Sequence, residues 1–233
     1  FVPNCFLLSL LIMSKQTITV LISGNGSNLQ ALIDATAKGE LNADIIQVIS
    51  SSSDAYGLTR AKNASIPTRV HSLKNYYKDI PKGDRALARK KFNKELANLI
   101  IHGDKEGEEV PGYKRPDLIV CAGWMLILAP EFLTPLEDEG ISIINLHPAL
   151  PGAFEGTHAI DRAWKAAQDG EITKGGVMVH YVIQEVDQGE PLIVKEIEIP
   201  KGITLEEYEE KVHSVEHGAI VEGTVKALEL AKK

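Results

Sequence analysis

The feature that most constrains this chain is an alternation. Short apolar runs rich in β-branched residues take turns with segments whose apolar side chains fall at helical spacing. Thr17–Ile22, Ile45–Ile49, Thr68–His71, Leu118–Ala122 and Ile141–Leu146 read as strands. Ser27–Ala37, Leu58–Asn63 and Arg85–Ile101 read as the helices between them. Strands that are apolar without a polar face must be covered on both sides, and helical crossovers join parallel strands. The pattern therefore predicts an α/β chain: a Rossmann-like parallel sheet with helices on both faces.

After Leu146 the pattern changes. A Pro/Gly loop, Pro148–Gly156, leads into a helix at Ala159–Gln168. Val177–Ile183 and Leu192–Ile199 predict an antiparallel pair linked through Asp187-Gln188-Gly189-Glu190-Pro191, followed by a long helix over Leu205–Ala231. The charged segment Gly103–Glu109 reads as a solvated loop. At 233 residues the chain suits one domain made of two joined halves, about 17–146 and about 147–233.

Residues 1–12 are an apolar stretch ahead of Met13. They lack a basic leader and fall short of the roughly 20 apolar residues that a membrane span needs. Met13 is the expected start of a single domain 13–233, with 1–12 a non-native or disordered extension or, second, a partial targeting segment. The formal net charge of -7, with no basic cluster, argues against a nucleic-acid partner, because phosphate neutralisation needs grouped Lys and Arg. Two cysteines, Cys5 and Cys121, are too few for a disulfide framework and wrongly spaced for zinc, which fits a reducing cytoplasm and no structural metal. Cys121, inside an apolar run, reads as a core residue.

Two places carry chemistry. Ser23-Gly24-Asn25-Gly26-Ser27-Asn28 follows the first strand and opens a helix. Its glycines permit a tight turn, and the free N–H groups at a helix start attract an anion. Ser27 and Asn28 add donors and can also cap the helix. The same turn could be a plain strand-to-helix connection. Its place on the first strand of a parallel sheet favours a phosphate. A dinucleotide site fits poorly, because Leu29 stands where the third glycine belongs and the second strand runs into Ser50–Ser53 rather than an acid.

Asn145-Leu146-His147-Pro148 ends a buried strand, where ligands of such sheets gather. Asn145 and His147 are two apart on an extended chain and so share a side. Together they can donate to a developing oxyanion, although a lone histidine beside a proline is more often structural. Asp187 lies in a tight turn and is either a local cap or a carboxylate facing His147. In the second case it should raise the imidazole pKa above ~6.5.

Four segments in this order, Leu21–Ala31, Ala122-Gly123-Trp124-Met125, Asn145-Leu146-His147-Pro148 and Val186-Asp187-Gln188-Gly189, resemble the glycinamide ribonucleotide formyltransferase family. The wording is most similar to the fungal branch, and the resemblance runs from about Thr17 to the final helix. It implies formyl transfer from 10-formyltetrahydrofolate, as cosubstrate, to the amine of glycinamide ribonucleotide in purine biosynthesis, without a metal. It implies small-molecule partners only, in a monomer or homodimer. By it, Asn145, His147 and Asp187 form the catalytic trio, and Gly24, Asn25, Gly26, Ser27 and Asn28 cradle the phosphate. Arg89 matches a phosphate-side arginine, Glu216 meets the ribose and glycinamide end, and Met125, Leu126, Ile127 and Leu128, with Asn145, wall the folate. The halves 17–146 and 147–233 become the phosphate-binding and the folate and catalytic parts. His158 matches a family histidine without an assigned duty. Leu126 replaces a common arginine, and the loop Leu150–Glu155 departs from the bacterial version. The trio also serves formyltetrahydrofolate hydrolase and methionyl-tRNA formyltransferase. Against these stand the phosphate cradle and the acidic charge. A silent nucleotide-phosphate sensor would have no use for all three residues.

Overall fold

The computed structural model of the chain describes residues 15–78, 80–81 and 84–231. The expected start at Met13, the extension 1–12 and Cys5 lie outside them. Seven strands form one sheet in the order β3-β2-β1-β4-β5-β6-β7. They are β1 (Gln16–Ile22), β2 (Ala43–Ser50), β3 (Thr68–Val70), β4 (Leu118–Cys121), β5 (Ser142–His147), β6 (Lys174–Tyr181) and β7 (Pro191–Glu198). β1 to β5 run parallel, while β6 and β7 are antiparallel to their neighbours.

Burial explains the strand sequences. Val20, Leu21 and Ile22 are all fully buried in succession, which requires cover on both faces of the sheet. On one side Ile18, Val20 and Ile22 pack with Leu29 and Leu32 of α1 (Ser27–Lys38) and with Tyr208, Val212 and Ile220 of α7 (Leu205–Ala231). On the other, Leu21, Ile119 and Cys121 pack with α4 (Arg85–Ile101) and α5 (Pro130–Asp138) through Phe92, Leu96, Phe132 and Leu136. Each such side chain contributes about 1.5–3 kcal/mol by leaving water. The Cys121 thiol belongs to this core, where burial pushes its pKa up to about 12.

α2 (Gly57–Asn63) connects β2 to β3, α3 (Leu73–Tyr77) precedes α4, and α6 (Ala159–Gln168) precedes β6. The sequence pattern announces neither α3 nor α5. α3 buries none of its five residues, so it has no apolar stripe to read. α5 carries Pro130 in its first turn, where the missing N–H costs nothing, and Pro135 inside it. The segment between α4 and β4 is held by Tyr113, whose hydroxyl accepts from Gln47 Nε2 at 2.8 Å and donates to the Ile100 carbonyl at 2.8 Å. Among the described residues no helix is long and apolar enough to cross a membrane.

The sheet order places a crevice. From β1 the chain builds outward to β2 and β3 on one side, then returns to place β4 and β5 on the other. The loops after β1 and β4 therefore diverge to opposite sides of the sheet and leave a gap at its carboxyl edge. The antiparallel β6 closes the far side, with His180 opposite Asn145 and Met178 opposite His147.

Candidate active site

A cavity of about 520 Å³ opens at that gap. It is lined by Ser23–Asn28 after β1, Cys121–Leu128 after β4, Asn145–Pro148 at the end of β5, and Gly156–Ala159. His180 and Val182–Asp187 follow from β6 and its link to β7, and α7 adds His213 and Glu216. Residues of both halves thus face one space. Glu216 comes from the second half to the loop of the first, and Met125–Leu128 belong to the first half.

The loop after β1 is shaped by two glycines. Gly26 sits at φ 75, and a Cβ on it would lie 2.6 Å from the Cα of Gly57. Gly57 allows that approach because it too lacks a side chain, and its N–H donates to the Gly24 carbonyl at 3.1 Å. No side chain caps α1, so Ser27 and Asn28 do not fill the capping role. The first N–H groups of the helix are thus left without a side-chain cap. The Asn28 amide nitrogen instead donates to Glu216 Oε2 at 3.5 Å, and its Oδ1 is buried without a partner. Burial raises the Glu216 pKa above its ordinary value, partly opposed by His213 and Asn28. Ser23 joins this loop to the next: its hydroxyl oxygen accepts from Ser51 Oγ at 2.7 Å and from the Met125 N–H at 2.9 Å.

On the opposite wall, His147 Nδ1 lies 3.4 Å from Asp187 Oδ2, and both side chains are buried. His147 Nε2 lies 3.2 Å from the Phe154 carbonyl oxygen. Asp187 holds a left-handed backbone conformation, φ 58, that costs an L-residue energy. Its Oδ2 accepts from the Gly156 N–H at 2.8 Å. Burial pushes the Asp187 carboxyl up, but the neighbouring His180, the Gly156 amide and His147 outweigh it, and the net shift is downward. The group is ionised at neutral pH.

For His147 the balance falls the other way. Burial lowers its pKa more than Asp187 and the Phe154 carbonyl raise it, so the net shift is below 6.5. This corrects the expectation that Asp187 would lift the imidazole above that value. The physical reason is desolvation: a ring almost closed to water loses more hydration on charging than one carboxylate 3.4 Å away returns.

The site also contains a histidine that the motif reading passed over. His180 is buried, and its Nδ1 lies 2.8 Å from the Tyr181 carbonyl. Its Nε2 lies 3.4 Å from the Asn145 amide nitrogen. The same Nε2 is 3.6 Å from Asp187 Oδ1. His180 thus stands between two members of the expected trio. The signal available was a polar residue inside Val177–Tyr181, an otherwise apolar strand.

Other expected residues fall out as follows. Leu126 and Leu128 are half-buried on the cavity wall, whereas Met125 and Ile127 are 68% and 70% exposed, as alternation along an extended segment requires. Arg89 is not brought to the cavity. α4 turns Ala88, Phe92 and Leu96 to the sheet, so Arg89 points to solvent, where its Nε donates to the Tyr77 hydroxyl at 3.4 Å. The arginine beside the loop after β1 is Arg60 of α2, bonded to Asn25. His158 stands at φ 58 as the N-terminal cap position of α6, exposed at the cavity rim with Nδ1 3.1 Å from Asp161 Oδ2. Among the described residues no group of His, Cys, Asp or Glu could hold a metal ion.

Known proteins share this arrangement. The profile of the formyl transferase family matches residues 16–224. Phosphoribosylglycinamide formyltransferase of Saccharomyces cerevisiae is 53% identical over 224 residues, spanning 93% of this chain and 99% of that protein. The Schizosaccharomyces pombe protein of the same name is 50% identical over 208 residues, 88% of this chain and 94% of that protein. Among solved structures, glycinamide ribonucleotide transformylase 1 from Symbiobacterium toebii superposes with a TM-score of 0.72 at 29% identity, covering 91% of this chain and 86% of that one.

Proposed function

We infer, from the premise that the chain belongs to the formyl transferase family and is similar along its length to phosphoribosylglycinamide formyltransferases, the chemistry of its cavity. The chain transfers the formyl group of 10-formyltetrahydrofolate to the amine of glycinamide ribonucleotide, a step of purine biosynthesis. The residue assignments below are our reading, and one observation carries them. His147 and Asp187, forty positions apart, meet at 3.4 Å in the same cavity as the anion-receptive loop Gly24–Asn28.

The loop amides and the start of α1 receive the phosphate, and Glu216 with Asn28 Oδ1 meets the ribose and glycinamide end. Leu126, Leu128 and the backbone of Met125 and Ile127 wall the folate. Between them stand Asn145 and His147. Since burial keeps His147 uncharged at neutral pH, its role is to accept a proton. A carboxylate is a stronger acceptor than a carbonyl, so the neutral ring keeps its hydrogen on Nδ1 toward Asp187, and Nε2 is the basic atom. As the amine nitrogen bonds to the formyl carbon, the carbonyl electrons move onto oxygen and the amine proton passes to Nε2. The imidazolium so formed is stabilised by Asp187. Its Nε2–H, 3.2 Å from the Phe154 carbonyl, is shared between that oxygen and the oxyanion, beside the Asn145 amide. Each such donor is worth about 3–4 kcal/mol in the transition state. When the bond to the folate nitrogen breaks, that nitrogen takes the proton back.

We place the domain at 13–233, in the cytoplasm, as a monomer or homodimer working on small molecules alone. The test of the reaction is spectroscopic: donor is mixed with the protein, with and without glycinamide ribonucleotide. Consumption only in the presence of the ribonucleotide supports the reading. Equal consumption in its absence would make the chain a hydrolase and remove the acceptor role of the loop.

A further inference from the structure

The cavity that should receive a phosphate monoester has, among the described residues, no lysine or arginine in its lining. The nearest guanidinium stands behind the loop. Arg60 Nε donates to the Asn25 carbonyl at 2.9 Å, its Nη2 donates to Asn25 Oδ1 at 3.0 Å, and its Nη1 reaches Gln30 Oε1 at 3.4 Å. Its Cζ also lies 4.9 Å from the centre of the Tyr56 ring. Among the described residues no carboxylate forms an ion pair with it.

We propose that Arg60 is a positioning residue that sets the polarity of the phosphate loop through Asn25. The inference rests on the reading of Gly24–Asn28 as the phosphate cradle. An asparagine amide has one acceptor end and one donor end, and a guanidinium can bond only the acceptor. By holding both oxygens of Asn25, backbone and side chain, Arg60 turns the negative ends of that residue away from the cavity. The Asn25 N–H and Nδ2 are left as the ends that a dianion meets. Charge-assisted bonds to a planar fork fix this orientation better than a point charge could. The unpaired positive charge also polarises the loop amides from behind without occupying the space of the ligand.

The test compares glycinamide ribonucleotide with its phosphate-free ribonucleoside in the wild type, Arg60→Ala and Arg60→Lys, with thermal melting to confirm folding. Loss of two charge-assisted bonds should raise the ribonucleotide KM by about 10- to 100-fold in Arg60→Ala. Turnover at saturation and the donor KM should stay within about threefold, because Arg60 bonds Asn25 and Gln30 and neither the folate wall nor the reacting trio. The ribonucleoside KM should not move. Arg60→Lys, which keeps the charge but not the fork, should fall between, and it carries the test alone if the alanine variant does not fold. An equal rise for both acceptors means that Arg60 merely supports the fold and overturns the proposal. A retained preference for the phosphorylated acceptor in both variants overturns it too, while leaving the cradle intact. If the wild type itself does not prefer the ribonucleotide, the cradle reading fails first.

Discussion

The two walls of the cavity solve opposite electrostatic problems. On the wall after β1, an anion is to be met by neutral backbone donors, held by the Gly26–Gly57 contact and by Arg60 from outside. Apart from Glu216, which bonds Asn28, and Met125, which bonds Ser23, its parts lie close in sequence, between Ser23 and Arg60, and most need only a turn and two helix starts. On the other wall, charge must appear and vanish during a reaction. His147, His180 and Asp187 come from β5, β6 and the β6–β7 link, and burial works against the charged forms of His147 and Asp187. A binding wall is preorganised by geometry. A reacting wall is tuned by a near-balance of desolvation and charge, so it should respond to substitutions in turnover and pH, where the first responds in affinity.

The sharpest way to break that contrast is Asp187→Asn. It should lower turnover by about 10²–10⁴-fold, the range of general acid–base assistance, with the ribonucleotide KM little changed. In the wild type, the pH profile of kcat should rise with pH through a limb below 6.5, because the base we propose is the deprotonated ring, whose pKa is lowered. Removing the carboxylate removes a contribution that raises the His147 pKa, so in the variant this limb should move to more acid pH. A limb that falls over the same range would mean that His147 acts as a resident cation.

Gly26→Ala attacks the binding wall. A Cβ at φ 75, 2.6 Å from Gly57, should cost about 1–3 kcal/mol of stability and raise the ribonucleotide KM, with saturated turnover preserved. Lost turnover at saturating acceptor would show that the two walls are not separable. His180→Ala should give a smaller effect on the reacting wall, about tenfold in kcat, since Asn145 and Asp187 both lose a neighbouring ring nitrogen, a contact worth about 1 kcal/mol.

The smallest expected effect concerns stability against pH. His71, His147 and His217 all have pKa values lowered by burial. Below 6.5 the unfolded chain takes protons that the folded one refuses, so stability falls as pH drops from 7 through that window. Glu216, raised, acts in the other direction. Its contribution is fully present below its ordinary 4.5 and is lost as pH rises through the higher folded value. Glu216→Gln should therefore lift the melting temperature at pH 7 by about 1–3 °C and weaken acceptor binding. An unchanged melting temperature would mean that the buried carboxylate is better paired than its single 3.5 Å bond to Asn28 suggests.

Legibility divided along the same line as the two walls. The expected α4 and α7 bounds, Arg85–Ile101 and Leu205–Ala231, coincide with the observed ones, because helical spacing and the need for cover on an apolar sheet are local and repeated many times over. The loop after β1 and the pairing of Asn145 with His147 on one strand end were readable for the same reason. The coming together of Asp187 and His147 was readable only through likeness to a family, since neither residue's neighbours in sequence point to the other. Arg60, Arg89 and His180 were not readable. Whether an arginine on a helix faces a loop or water depends on how that helix is rotated over the sheet, and which residue faces Asn145 depends on the antiparallel register of β6. Nor could residue types say whether His147 is charged. Periodicity determines which elements form and which side of each is apolar. Packing decides which polar groups lose their water together, and in a buried site that loss outweighs any single pairwise attraction.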